Sequence, residues 1–113
     1  MANKKIRITG GQLKSRYLSF DGNDSLKPTK SYIRETIFNV VKVDRNMNSL
    51  DLFSGSGILS AEAISRGINK SILVESNNKS YMRIKDEYSL LGIDNYEIYC
   101  IDVLRYLKTN QAI

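Results

Sequence analysis

With 113 residues, 42% of them hydrophobic, the chain has material for one domain around one core. It has no histidine and a single cysteine, which excludes Ser-His-Asp and Cys-His catalysis, precludes an internal disulfide and argues against a metal site. The net charge of +5 is uneven, with ten lysines and arginines against four acids in residues 1–48 and seven against eight in residues 49–113.

An excess of positive charge confined to one segment points to a polyanion partner, nucleic acid first. Five basic residues, Lys4, Lys5, Arg7, Lys14 and Arg16, precede the first acid, Asp21. Ile6-Arg7-Ile8 alternates as a strand does, Gly10-Gly11 breaks it, and Tyr17–Phe20 returns, predicting a basic hairpin or arm over residues 5–20. Asp21–Ser25 is turn chemistry. Pro28 holds Lys27 extended, and Thr29 is the expected N-cap of the helix that follows. Ile33, Ile37, Phe38, Val40 and Val41 fall at helical spacing, predicting an amphipathic helix over 30–43.

After a polar joint at Asp44–Ser49, strands and helices alternate. Strand one is Ser49–Phe53, followed by a helix over 57–66 stopped by Gly67. Strand two is Ser71–Glu75, followed by a helix over 78–91 with Tyr81, Ile84, Tyr88 and Leu91 on one face and Gly92 as its stop. The two tyrosines are expected only to pack. Strand three is Tyr96–Ile101, in whose apolar run Cys100 is expected to be a buried thiol, and a short helix runs over Val103–Lys108. This alternation predicts an α/β fold, a parallel sheet with helices on both faces. No stretch reads as a membrane span, and MANKKIRI has no apolar signal region, so a cytoplasmic protein is expected.

The chemistry gathers at the carboxyl ends of the strands, where ligands of parallel sheets bind. Asp51-Leu52-Phe53-Ser54-Gly55-Ser56-Gly57 ends strand one in a Gly-x-Gly turn, Glu75 closes strand two, and Asp102 follows strand three. A dinucleotide site needs a third glycine or alanine where Ser60 stands, and its pyrophosphate would lie beside Asp51. A P-loop needs a Gly-Lys-Ser/Thr that is not there. S-adenosylmethionine, with a sulfonium, an ammonium and no phosphate, suits a carboxylate beside the turn. Gly55 and Gly57 would let the backbone approach it, Glu75 would accept from its ribose hydroxyls and Asp102 from its adenine amino group.

The segment DLFSGSGILSAEAISRG resembles the first motif of the RsmD-type small-subunit rRNA guanine-N2 methyltransferases, a class I family, in the form D-L-F-A-G-S-G-x-L-G-x-E-A-L-S-R-G. IRITGGQLKSRYL is similar to that family's arm, R-I-I-x-G-x-x-K-G-R-x-L, and LKPTKSYIRETIFNVV to its R-P-T-x-x-x-x-R-E-x-L-F-N-x-L segment. The resemblance runs from about Ile6 to Leu107. It implies a Rossmann-like S-adenosylmethionine-binding domain over 29–113, carrying the first half of the class I sheet, and a basic RNA arm over 1–28. The cofactor set becomes Asp51, Phe53, Ser54, Gly55, Ser56, Gly57, Glu75, Ser76, Asp102 and Val103, with Thr29 close by. The RNA set becomes Lys4, Lys5, Arg7, Lys14, Arg16 and Tyr17, although charge alone leaves a solubilising hairpin equally open. The implied partner is 16S rRNA or the small ribosomal subunit.

Lys27 and Lys30-Ser31 depart from the family pattern, as do Ser54 and Ser60. The larger departure is the family's Asp/Asn-Pro-Pro-Tyr/Phe motif, which grips the target amine. Pro28 is the only proline, so the catalytic motif is expected beyond Ile113 and the 113 residues alone are expected to be inactive. The resemblance also implies a further strand pairing with strand one. The alternative is a cofactor- or RNA-binding fragment without catalysis. A dinucleotide-dependent dehydrogenase fits less well, for the reasons at Ser60 and Asp51.

Overall fold

The computed structural model describes residues 3–21 and 30–109. The N-terminal arm is an antiparallel hairpin of β1 (Asn3–Arg7) and β2 (Tyr17–Asp21), with Arg7 opposite Tyr17 and Ile6 opposite Leu18. A helix, α1 (Ser31–Val40), leads into β3 (Asn48–Asp51), α2 (Ile58–Ser65), β4 (Lys70–Val74), α3 (Asn78–Leu90), β5 (Tyr96–Tyr99) and α4 (Val103–Thr109). The second sheet is parallel in the order β3-β4-β5, with Asp51 beside Leu73 and Val74 beside Tyr99. β3 and β5 are shorter than the apolar runs predict, β4 keeps the predicted length shifted by one residue, and among the described residues β3 is an edge. Thr29 lies outside the described residues, and the N-cap position of α1 falls on Lys30, which makes no side-chain cap bond.

Helices α2 and α3 cover one face of the sheet, and α4 meets the other through Tyr106. Ser71 and Leu73 alternate with Ile72 and Val74 across β4. Leu73 enters the main core with Ile58 and Ala61 of α2, Ile84 and Tyr88 of α3, and Ile93. Tyr99 points to the other face, where its ring meets Tyr106 of α4 at 5.8 Å. The hairpin shares the main core, because Ile8 and Leu18 are completely buried in it. Gly67 and Gly92 stop α2 and α3 with φ of 101° and 73°, the left-handed backbone that glycine adopts freely.

Two expectations change. Cys100 is exposed, not buried, because β5 ends at Tyr99 and the last residues of the apolar run lie beyond the sheet. The apolar stripe of α1 is largely exposed as well: only Arg34 and Phe38 are buried, against α2, while Ile33, Ile37, Val40 and Val41 face outward. Ile37 and Val41, with the open side of β3, border an apolar groove of about 690 Å³, lined also by Leu50, Phe53 and Leu59. Among the described residues, no helix is long and apolar enough to cross a membrane.

Candidate functional site

The turn after β3 is tied down by its own backbone. The Ser54 amide donates to Val74 O at 3.2 Å, and the Gly57 amide to Ser54 O at 2.7 Å. Gly55 and Gly57 have φ of 56° and 81°, which side chains with a Cβ reach only with strain. Space adds a second constraint at Gly57, where a Cβ would meet Ile84 Cγ1 at 3.1 Å and Tyr88 Cε1 at 3.3 Å. The floor of the turn is therefore α3.

Tyr88 does more than pack. Its hydroxyl donates to Gly57 O at 2.5 Å, the same oxygen that receives the Ala61 amide of the first turn of α2 at 3.0 Å. Burial, with the nearby Asp51 charge second, pushes the Tyr88 hydroxyl well above the usual tyrosine range, so it stays a donor. A tyrosine at core spacing, where leucine would pack as well, is the sequence signal for such a buried polar partner.

Two of the three strand-end acids flank the turn. Glu75 accepts the Gly55 amide on Oε1 at 2.8 Å and the Asn77 amide on Oε2 at 2.9 Å, which fixes the carboxylate at the end of β4. Each oxygen keeps a second lone pair for a ligand hydroxyl. Asp51 accepts the Phe53 amide at 3.3 Å and, on its other oxygen, the Ser60 hydroxyl at 3.4 Å. Burial raises the Asp51 carboxyl above the usual carboxylate range, only partly offset by those bonds, and the Glu75 charge raises it further. Among the described residues no lysine or arginine forms an ion pair with it.

The third acid stands differently. Asp102 follows β5 on the same rim but is exposed, and its Oδ2 caps α4 by accepting the Arg105 amide at 3.2 Å. Val103 is the first residue of that helix. Ser54 and Ser56 are buried within the turn, Ser76 is exposed beyond Glu75, and Phe53 projects with 81% of its surface exposed.

The basic residues form a surface of their own. Lys4, Lys5, Arg7, Lys14, Arg16 and Tyr17 are all exposed. The hairpin register puts Lys5, Arg7 and Tyr17 on the face turned away from Ile6 and Leu18, while Lys4, opposite Phe20, has the parity of the inner face. Lys14 and Arg16 sit in the tight turn between the strands.

Sequence reasoning passed over Glu62, which is completely buried on α2. It accepts from Arg34 Nη1 at 3.0 Å, Arg66 Nε at 3.1 Å, the Thr9 amide at 3.0 Å and the Gly10 amide at 3.0 Å. The signal was present: Glu62 is the one charge in ILSAEAIS, a helix of small and apolar residues, and a charge there must find partners inside.

The parallel sheet in the order β3-β4-β5, with its helices, is the first half of a Rossmann-like class I methyltransferase sheet. The model of the family described as "Conserved hypothetical protein 95" matches residues 6–112, and the chain belongs to this RsmD family. It is 42% identical over 107 residues to the ribosomal RNA small subunit methyltransferase D of Buchnera aphidicola subsp. Acyrthosiphon pisum, covering 94% of this chain and 56% of that protein. The solved Escherichia coli protein yhhF superposes with a TM-score of 0.81 at 30% identity, over 92% of this chain and 56% of its own. SMU.776, solved in complex with SAH, is 19% identical with a TM-score of 0.66 over 85% of this chain and 26% of its own, and shares the fold alone. The chain thus spans about half the length of the curated relative and of the solved protein yhhF.

Proposed function

We propose that this chain provides the S-adenosylmethionine site and the RNA arm of a cytoplasmic small-subunit rRNA (guanine-N2) methyltransferase. The observation that carries the reading is the pair Asp51 and Glu75 held about one glycine turn, one half-buried with no ion-pair partner among the described residues, the other locked by two amides. A desolvated carboxylate without a counter-ion favours a cationic ligand, and a fixed carboxylate at the second strand end favours a diol. S-adenosylmethionine carries both, and its sulfonium supplies an activated methyl group. SAH bound to a protein of this fold and the name of the Buchnera relative support the cofactor and the rRNA substrate.

In this reading Asp51 faces the positive end of the cofactor, Glu75 accepts from the ribose, and Phe53, Ser54, Gly55, Ser56 and Gly57 supply the close backbone. Ser76, Asp102 and Val103 line the adenine side, with Thr29 near the cofactor. Residues 1–28 form the RNA arm, with Lys4, Lys5, Arg7, Lys14, Arg16 and Tyr17 contacting 16S rRNA or the small subunit, and residues 29–113 form the cofactor-binding part. An exocyclic guanine amine is a poor nucleophile, and a base in a duplex must be turned out before it reacts. The single proline, Pro28, rules out a Pro-Pro motif within these 113 residues, so the chain by itself binds without transferring the methyl group.

Calorimetry and thermal melting with SAH and with NAD test the cofactor assignment. SAH should bind and raise the melting temperature while NAD does neither. Binding of NAD, or no response to SAH by a folded chain, would reject it.

A further inference from the structure

We infer that Glu62, with Arg34 and Arg66, is a latch that holds the basic arm against α2 and presents its cations as a pre-oriented surface. Glu62 is thus a positioning residue for RNA that does not touch RNA. The inference rests on the RNA reading of the arm given above.

The contacts converge on the turn of the hairpin. Glu62 accepts the amides of Thr9 and Gly10, at 3.0 Å each. Its two arginines reach on to the arm: Arg34 Nη1 donates to Arg7 O at 2.7 Å, and Arg66 Nη2 to Thr9 Oγ1 at 3.0 Å. One helical step away, the Ser65 hydroxyl donates to Gly10 O at 2.5 Å and accepts the Leu13 amide at 2.8 Å, while Ser65 O accepts the Gln12 amide at 2.8 Å. The fit is close, against backbone at Gly11 and against the end of the Arg66 side chain at Gly10. A Cβ on Gly11 would lie 1.9 Å from Ser65 O, and one on Gly10 2.7 Å from the Arg66 guanidinium.

This stitched segment, residues 7–13, immediately precedes Lys14, Arg16 and Tyr17. The Arg16 amide bonds Leu13 O at 2.9 Å and the Ile8 amide bonds Arg16 O at 2.8 Å, so the cations inherit the orientation of the latch. The far end of α2 is the glycine turn. At about 1.5 Å per residue along the axis of α2, Glu62 stands about 7.5 Å and Ser65 about 12 Å from Gly57, a rigid spacing. A surface ordered in advance binds more tightly than one that must be ordered on binding.

Glu62→Gln separates this from simple electrostatics, because the two make opposite predictions. Removing a negative charge from a basic protein should tighten RNA binding if charge alone matters. Releasing the latch should weaken it. With a fluorescein-labelled RNA hairpin as probe, the variant should bind about tenfold more weakly at fixed salt. The salt slope should not change, because the same phosphates are still contacted. Hydrogen exchange should show Thr9, Gly10, Gln12 and Leu13 losing protection while α3 and β4 keep theirs, and SAH affinity should stay unchanged.

Equal or tighter RNA binding by E62Q, or arm amides that stay protected in it, would overturn the latch. If E62Q does not fold, Ser65→Ala removes two of the stitches without disturbing a buried charge. It must weaken RNA binding in the same sense, and unchanged affinity would overturn the proposal. A wild-type chain with a protected arm that ignores RNA would reject the RNA reading and the latch's role in it, while leaving the cofactor reading untouched.

Discussion

Glu75→Ala removes the carboxylate that marks the end of β4. In the free protein its two bonds go to the amides of Gly55 and Asn77, at 2.8 and 2.9 Å, on a partly open rim. Water can replace those acceptors, so the loss of stability should be small. The loss of binding should be larger, because ribose hydroxyls would lose a charged acceptor. Such a loss is worth about 1–3 kcal/mol, or about 5- to 150-fold in affinity. Glu75→Gln keeps one carbonyl oxygen and should fall between the variant and the wild type. Titration calorimetry with SAH reads the affinity and thermal melting of the free proteins reads the fold. Unchanged SAH affinity in a folded Glu75→Ala protein would remove Glu75 from the site.

Charge and solvent exposure yield three further tests. Lys14→Ala with Arg16→Ala should flatten the dependence of log RNA affinity on log salt by about one to two units; an unaltered slope would make the arm a solubilising device. Burial raises the Asp51 carboxyl, so the folded state holds that proton more tightly than the unfolded state, and stability declines as pH climbs from the ordinary carboxylate value through the raised one. Asp51→Asn should therefore melt higher than wild type near pH 7, by a margin that shrinks toward pH 3, while losing SAH affinity; a lower melting point near neutrality would contradict the desolvation argument. Finally, the open edge of β3 and its apolar groove should make the 113-residue chain self-associate, and the chain should transfer no methyl group to small-subunit rRNA. Sedimentation and a labelled-methyl assay, beside a version extended by a further strand and helices, check both; a monomeric, active 113-residue chain would refute them.

The parts of this structure legible in the sequence are those set by local pattern. The alternation at Ile6–Ile8, the glycine stops at Gly67 and Gly92, and the change of period after Ser49 each follow from a few neighbouring residues. The carboxyl-end positions of Asp51, Glu75 and Asp102 follow from strand direction alone. What a pattern cannot give is the partner. The stripe on α1 is apolar, but its spacing does not say that only Phe38 and Arg34 meet α2. The run ending in Cys100 is apolar, but hydrophobicity does not say where an edge strand stops pairing. Glu62 lies more than fifty residues from the amides that it accepts, so neither Thr9 nor Gly10 carries a local sign of it. The family pattern held both Glu62 and Arg34 without saying that they meet.

The separation of those partners along the chain has a kinetic consequence. The bonds from Thr9 and Gly10 to Glu62 close 53 and 52 residues of chain, and that from Ser19 to Glu87 closes 68. Bringing such distant ends together is slower than forming a helix or pairing a short hairpin, because the chain entropy must be lost before any contact compensates. On a ribosome moving at about 5–20 residues per second, the arm emerges seconds before the helices that receive it. Its own strands can pair, but Ile8 and Leu18 stay in water until α2 and α3 exist. Docking of the arm must therefore wait for the helices that complete its core.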